Sequence, residues 1–209
     1  MLRKRQHERL LGLIGRNGLG WGAGLHSQAG LGGPIKREGD GKSPAGVFLL
    51  SGAFGYAPVK EMKWVRLPYV QCTAALQCVD DTNSARYNSL IKTDSVAQVD
   101  WCSAEAMRRT DDLYRLGILV EHNTKPMVPG GGSCIFLHIW AGPQTPTTGC
   151  TAMPAERLEQ LLKWLRAEAK PVLVQLPQDQ YRRLQRQWEL PWEVPGFTAP
   201  NHRKEQQNP

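Results

Sequence analysis

The stretch SCIFLHIWAGPQTPTTGCTAM, Ser133–Met153, joins an apolar run, a loop of Gly, Pro and Thr, and a cysteine between small residues. The run CIFLHIW predicts a buried strand over Cys134–Trp140. His138 lies near the end of this strand, and Cys150 lies at the end of the loop. A thiol and an imidazole at the two ends of one loop are the groups of a cysteine nucleophile and its base.

The alternation of side chains along the strand determines the face from which His138 projects. Side chains alternate between the two faces of a strand, so His138 is predicted to project on the same face as Trp140. Cys134 shares that face but stands roughly 13 Å away along the strand, which is too far for the two residues to share a zinc ion. A metal site that adds Cys150 and His122 to this pair is therefore disfavoured. A core histidine bonded to a backbone carbonyl remains the alternative.

The surroundings of Cys150 suit a reactive thiol. Gly149 and Thr151 are small, and their N–H groups are candidates for an oxyanion site. Pro154 suits the first turn of a helix, which places Cys150 just before a helix N-terminus, where the dipole favours a thiolate. A buried structural cysteine is an equally good interpretation of the local sequence.

Hydrophobic patterns elsewhere predict a chain rich in strands. Apolar runs bounded by Gly and Pro predict strands at Val47–Leu50, Ile118–Val120 and Val172–Leu176. Helical spacing predicts helices over Ala104–Leu116 and, most clearly, Pro154–Ala169. Residues 60–105 show no period and are predicted to be irregular, whereas residues 178–188 are predicted to form a polar helix. These elements predict the α+β, β-rich class, with two packed sheets and a helix on one side.

Length, charge and cysteine content limit the domain count and the partners. The chain of 209 residues, 41% of them hydrophobic, can form one domain with a substantial core, which we place at residues 1–177, followed by a basic, polar extension at 178–209. A net charge of +7 favours an anionic partner such as a cell-wall polymer. Nucleic acid is not favoured because no basic helix carries interleaved aromatics, and no apolar run is long enough to predict a membrane span. Five cysteines leave at least one thiol free.

Two further polar motifs are candidates for substrate contacts. The string GDGKS, residues 39–43, resembles the end of a phosphate loop, but Lys36 stands where the motif needs its first glycine, and Pro44 blocks the following helix. Nucleotide binding is therefore rejected. Lys36 and Arg37 are both candidates to meet a substrate carboxylate, with a solvated turn as an equally good interpretation. His122–Asn123 ends a strand and either faces the site or caps that strand.

Together these residues resemble the catalytic domain of the L,D-transpeptidases, the YkuD-like enzymes of bacterial cell walls. In that family a histidine on a strand is followed by a Gly/Pro/Thr loop, a T-G-C string and a helix, and HIWAGPQTPTTGC at residues 138–150 is similar. GDGKSPAGVFLL, residues 39–50, is similar to the family's Ser/Thr-Pro-x-Gly-x-Phe element, and ILVEHN at residues 118–123 matches one branch. The resemblance covers about residues 12–176.

The resemblance implies a fold of two packed mixed β-sheets, sandwich-like, with a long helix after the nucleophile. It implies that Cys150 attacks the carbonyl of the third residue, a meso-diaminopimelate, in a tetrapeptide stem of peptidoglycan. D-Alanine would leave, and an amine of a second stem would resolve the thioester into a 3→3 cross-link. His138 would carry the proton, oriented by a backbone carbonyl, and neither metal nor cofactor would be needed. Substrate contacts are expected from His122, Asn123, Trp140, Thr148 and Arg37.

The sequence departs from the family pattern at two positions near the cysteine. Thr148 stands where most members have a second histidine, and Ala152 stands where many have arginine. Hydrolysis of stem peptides by the same site, as an L,D-carboxypeptidase or amidase, is therefore one alternative. A wall-binding module with a structural Cys150 is another. The resemblance implies a location in the periplasm or cell wall, although residues 1–15 lack a recognisable signal peptide.

Overall fold

The structure, a computed structural model, describes residues 12–28 and 30–191. The chain divides between Pro177 and Gln178 into two compact units. The unit before this boundary contains strands and one α-helix, whose bounds follow in chain order: β1 Leu19–Trp21, β2 Ser43–Gly55, β3 Tyr69–Gln71, β4 Leu76–Val79, β5 Leu90–Lys92, β6 Ala104–Ala106, β7 Leu116–Val120, β8 Phe136–Ile139, β9 Thr151–Met153, α1 Ala155–Trp164 and β10 Val172–Gln175.

The strand β2 is the centre of the larger sheet. It is 13 residues long and pairs with β1 and β3 in parallel and with β7 and β10 in antiparallel orientation. The main path of the sheet runs β1-β2-β7-β8-β9, and β8 and β9 are again parallel, so the sheet is mixed. The pairing of β2 with β7 shifts register between Leu50 and Gly52. This irregularity lets the one long strand pair with several neighbours along its length. The predicted strand Val47–Leu50 is thus the middle of a much longer one.

Helix α1 covers one face of this sheet. Leucines at helical spacing put Leu158, Leu161 and Leu162 on one side, and all three are buried in a core shared with Ile118 and Leu137. Burying one such side chain stabilises the fold by about 1.5–3 kcal/mol. Pro154 precedes the helix with an extended backbone, and Leu165 after it is extended again. The predicted helix over Pro154–Ala169 is confirmed in part, because its α-helical portion stops at Trp164.

A second, three-stranded sheet covers the other face. Its order is β5-β4-β6, and both pairings are antiparallel. Its buried residues Leu76 and Cys78 share one hydrophobic cluster with Phe54 and Phe136 of the larger sheet. The structure therefore confirms an α+β, strand-rich fold with two sheets, compatible with a sandwich. The expectation that both sheets are mixed is wrong for the smaller one.

Two local predictions are wrong for one physical reason. Residues 60–105 are not irregular, because they contain β3, β4 and β5. Ala104–Leu116 is not a helix, because Ala104–Ala106 pairs with β4 and the chain then turns at Asp112, which has a φ of 57°. The apolar residues at helical spacing are buried by the sheet instead of by a helix face, and Met107 among them is fully buried. Pairing with a distant strand decides the conformation here, and no local pattern records that partner.

The unit after Pro177 contains the helix α2, Gln178–Leu184. The predicted polar helix over residues 178–188 is confirmed over this shorter span. The Tyr181 hydroxyl and the Gln185 amide both donate to the Pro191 carbonyl, at 2.7 and 2.9 Å. The predicted tail beyond Pro191 lies outside the described residues. Within the part of the chain that is described, no helix has the length and apolar character needed to cross a membrane.

Candidate functional site

Three adjacent strands of the larger sheet position the predicted thiol and imidazole. His138 on β8 pairs with Gly117 of β7 on one side and with Ala152 of β9 on the other. Cys150 is the residue immediately before β9, and the Phe136 N–H donates to its sulfur at 3.3 Å. A Cβ at Gly117 would lie 2.1 Å from the Phe54 ring, so only glycine fits opposite the histidine. The sheet thus holds both groups on one face.

His138 is fixed by a backbone carbonyl. Its Nδ1 lies 2.7 Å from the carbonyl oxygen of Ile139, so Nδ1 carries the proton and donates it there. Its Nε2 forms no hydrogen bond with any described residue, which leaves a basic lone pair available. Burial lowers the pKa of the imidazole, and the hydrogen bond to Ile139 opposes that effect. The ring is therefore neutral near pH 7 and able to accept a proton at Nε2.

Cys150 is buried and holds a neutral thiol in this conformation. Burial raises its pKa to about 12, and the nearby Glu105 carboxylate raises it as well. Its S–H donates to the Cys134 carbonyl at 3.4 Å. The sequence predicts that Cys150 lies just before a helix N-terminus, whereas in the structure strand β9 and Pro154 separate it from the first residue of α1. Activation must come from groups beside the sulfur.

Tyr114 is such a group. Its ring packs edge-to-face on His138 with 5.2 Å between ring centroids, and it lies in the same buried cluster as Cys150. The same hydroxyl donates to Glu105 Oε1 at 2.5 Å. The Arg109 guanidinium lies 5.0 Å over the ring and 3.6 Å from that carboxylate. No motif or spacing in the sequence marks Tyr114, Glu105 or Arg109 as part of this site.

Hydroxyl groups fix the backbone around the cysteine. Ser43 Oγ and Thr147 Oγ1 both donate to the Cys150 carbonyl, at 2.7 and 2.5 Å. The Gly149 N–H, a predicted oxyanion donor, already donates to Thr147 Oγ1 at 3.2 Å. Thr151, the other predicted donor, is buried at the start of β9, and its side chain donates to Gln175 at 2.7 Å. Strand β2 and the 141–149 loop thus hold the cysteine carbonyl from two sides.

The structure does not bring His122 and Asn123 to the thiol and imidazole. Both residues lie at the end of β7 opposite Gly117 and are almost fully buried. The Asn123 amide donates to the carbonyls of Val128 and Gly132, at 2.8 and 3.0 Å. His122 Nε2 lies 3.0 Å from the Gly131 carbonyl. These bonds tie the 124–132 loop to the sheet, so both side chains have a structural role.

The remaining predicted substrate contacts divide between surface and interior. Arg37 and Thr148 are exposed, and Trp140 is half-buried with its backbone N–H donating to Met153. Lys36, not Arg37, is the cation that enters the fold: it is 4% exposed, and its ammonium binds Asp40 Oδ1 at 2.7 Å. A Cβ at Gly149 would lie 3.9 Å from that ammonium, so Lys36 is the basic residue close to the cysteine loop.

The cysteines differ in chemical state. Cys78 and Cys134 form a disulfide that joins β4 to the segment before β8, so Cys134 is covalently anchored where its carbonyl receives the Cys150 thiol. Cys72 and Cys150 are free and buried, and Cys102 is free and exposed. No pattern in the sequence identifies this pairing. Among the described residues, no group of three or more His, Cys, Asp or Glu side chains is arranged to hold a metal ion.

The site therefore combines a thiol, an imidazole with a free nitrogen, and a tyrosine whose ring packs on the imidazole and shares a buried cluster with the thiol. This arrangement can transfer a proton from sulfur to nitrogen while the sulfur attacks an electrophilic carbon. Comparisons of the chain with protein-family models, curated proteins and solved structures return no match. The functional argument consequently depends on the side chains themselves.

Proposed function

We propose that the protein catalyses cysteine-dependent acyl transfer on peptidoglycan stem peptides, forming 3→3 cross-links through a thioester on Cys150. One observation carries the chemical part of this proposal. Tyr114 packs on the His138 ring with 5.2 Å between ring centroids and shares a buried cluster with Cys150, so a base and a thiol flank a single side chain. The substrate class comes from the sequence resemblance and from the net charge of +7, which suits an anionic wall polymer.

The reaction begins with the loss of the thiol proton. Cys150 carries a neutral thiol, with a pKa near 12, so proton transfer to His138 Nε2 accompanies attack on the carbonyl of the third stem residue. The C–N bond to D-alanine then breaks, and His138 gives its proton to the departing amine. The amine of a second stem attacks the thioester, His138 accepts its proton, and the thiol is regenerated. Tyr114 would pack beside the sulfur during both steps.

The disulfide supports the location that this function requires. Disulfides form and persist in oxidising compartments such as the bacterial periplasm. Cys78–Cys134 lies beside the proposed nucleophile and anchors the carbonyl that holds its thiol. We therefore propose that the protein works in the periplasm or at the cell wall.

Hydrolysis by the same residues differs only in the acceptor, which would be water in place of the second amine.

A second candidate function has its own supporting observation. Cys150 is only 8% exposed and its thiol donates to a backbone carbonyl, as expected for a structural cysteine in a core. On that interpretation the protein is a wall-binding module without catalysis. The two candidates differ in what happens to a stem peptide, and a turnover experiment separates them.

The deciding experiment incubates the full chain with purified tetrapeptide muropeptides and follows products by mass spectrometry. Dimers with released D-alanine support transfer, whereas tripeptide monomers alone support hydrolysis and overturn the proposed transfer. Cys150→Ser must abolish either product. Cys72→Ser is the matched control, because Cys72 is also free, buried and raised in pKa to about 12, yet Tyr114 and His138 do not flank it in the described contacts. No product from the folded wild type would favour the binding module.

A further inference from the structure

An open cleft of about 540 Å³ lies where the ends of β2 and β7 meet helix α1. Its volume falls within the range of about 300–1,000 Å³ that is typical of small-molecule sites. Its floor is apolar and aromatic, from Tyr56, Met62, Trp64 and Leu116. None of these residues takes part in the chemistry of Cys150, so the cleft requires an explanation of its own.

The rim of the cleft carries charges of both signs. Arg108 and Arg115 contribute guanidinium groups, and Asp112 and Glu159 contribute carboxylates. Glu159 also binds the Lys163 ammonium at 2.6 Å. The side chains of Arg115 and Asp112 form no hydrogen bond or ion pair with any residue that the structure describes. Donors and acceptors are therefore available side by side above an aromatic floor.

Backbone hydrogen bonds fix the positions of the residues that line the cleft. The Tyr56 N–H donates to the Arg115 carbonyl at 3.1 Å, and the Arg115 N–H donates to the Asp112 carbonyl at 3.0 Å. Cations also fix the two rings: Arg108 lies 4.0 Å over Tyr56, and Lys163 lies 5.6 Å from Trp64. A cleft with fixed walls loses little conformational freedom when a ligand binds.

We propose that this cleft binds a neutral saccharide, with a pyranose ring against Trp64 and its hydroxyl groups on the charged rim. Each sugar hydroxyl both donates and accepts hydrogen bonds, which matches guanidinium and carboxylate groups placed together. The two guanidinium and two carboxylate groups of the rim balance in charge, which suits a neutral ligand better than a polyanion. The apolar C–H face of a sugar ring suits the half-exposed indole of Trp64. This inference does not depend on the proposed acyl transfer, because it concerns other residues.

The test measures binding of tetra-N-acetylchitotetraose to the full chain by isothermal titration calorimetry. We expect saturable binding that Trp64→Ala weakens by about tenfold, or about 1.4 kcal/mol, and that Trp64→Phe weakens less. Glu159→Ala should weaken it, whereas Glu156→Ala should not. Glu156 is the matched control, because it is an exposed carboxylate in the first turn of the same helix and outside the cleft.

A second variant keeps the test decisive if Trp64→Ala does not fold. Asp112 has a φ of 57°, so Asp112→Gly removes the carboxylate and accepts the backbone conformation, and Asp112→Asn keeps an acceptor there. Asp112→Gly should weaken binding more than Asp112→Asn. The proposal is overturned if the tetrasaccharide does not bind, if none of the cleft variants changes its affinity, or if a sugar-free stem peptide or a polyglucuronate competes for the cleft with equal or higher affinity.

Discussion

His122 and His138 are two buried histidines at opposite ends of the β7–β8 region, and only His138 packs against a residue of the proposed site. Each has one ring nitrogen on a backbone carbonyl, His122 on Gly131 at 3.0 Å and His138 on Ile139 at 2.7 Å. Burial lowers the pKa of both. Burial and a lowered pKa therefore do not distinguish a catalytic histidine from a structural one.

The second nitrogen separates the two residues. His122 Nδ1 is buried without a hydrogen-bond partner in the described structure, and its ring packs edge-to-face against Phe48 at 5.8 Å. His138 instead packs on Tyr114, which shares a buried cluster with Cys150. The described contacts of His122 therefore anchor a loop, whereas those of His138 lead through Tyr114 to a thiol. The following predictions test this difference.

The largest expected effect is on turnover. His138→Ala should lower the rate of muropeptide conversion by about 10²–10⁴-fold, the usual contribution of a general base. His122→Gln should leave kcat within about threefold, because the glutamine amide can still donate to Gly131 and the residue does not contact Cys150. Steady-state kinetics by mass spectrometry measures both. Similar losses in the two variants would remove the distinction between these histidines.

The second effect is on stability at acidic pH and belongs to His122. Its pKa falls from the ordinary 6.5 to about 4 in the folded protein, so the unfolded chain binds more protons between these values. Stability is therefore full above pH 6.5 and decreases as the pH falls towards 4, by about 3 kcal/mol for this residue. Urea unfolding at pH 7, 5.5 and 4.5 measures this decrease.

The matched variant for that measurement is His122→Gln, which cannot titrate in this range. It should flatten the decrease between pH 6.5 and 4.5. A smaller slope of the same sign should remain, because the pKa values of His26 and His138 are also lowered by burial. If His122→Gln and the wild type lose stability in parallel, the buried imidazole is not the source.

The same comparison shows what the sequence could predict. His138 and Cys150 were predicted to lie at the two ends of one loop, because an alternating strand and a Gly/Pro/Thr loop are local patterns, and the structure places His138 on β8 and Cys150 immediately before the adjacent strand β9. Tyr114 and Glu105 were not, because they reach the thiol only through the pairing of β6 with β4 and the turn that follows. Likewise, the disulfide partner of Cys134 lies 56 residues earlier, and loop closure over that distance leaves no local pattern.

The smallest expected effect concerns the acidity of the thiol. Glu105 accepts the Tyr114 hydroxyl proton at 2.5 Å, so that proton is withheld from the sulfur, and the negative charge of the carboxylate further raises the pKa of Cys150. Glu105→Gln removes the charge and supplies an amide donor to the tyrosine oxygen, which frees the hydroxyl to donate to a thiolate. The alkylation rate of Cys150 by iodoacetamide at pH 8 should rise by about threefold to tenfold.

The exposed Cys102 is the internal reference for that rate, because it is free and its backbone N–H is bonded to Asp81, not to Glu105 or Tyr114. Arg109, which loses Glu105 in this variant, keeps its hydrogen bonds to Asp111, so the ring that it covers stays in place. Adding Tyr114→Phe to Glu105→Gln should cancel the part of the gain that comes from the hydroxyl and leave the part that comes from the charge. An unchanged ratio of Cys150 to Cys102 labelling in Glu105→Gln would show that Tyr114 does not transmit the state of Glu105 to the sulfur. Activation of the thiol would then depend on His138, on the Phe136 N–H and on the Lys36 charge, of which the last two lower the pKa of Cys150.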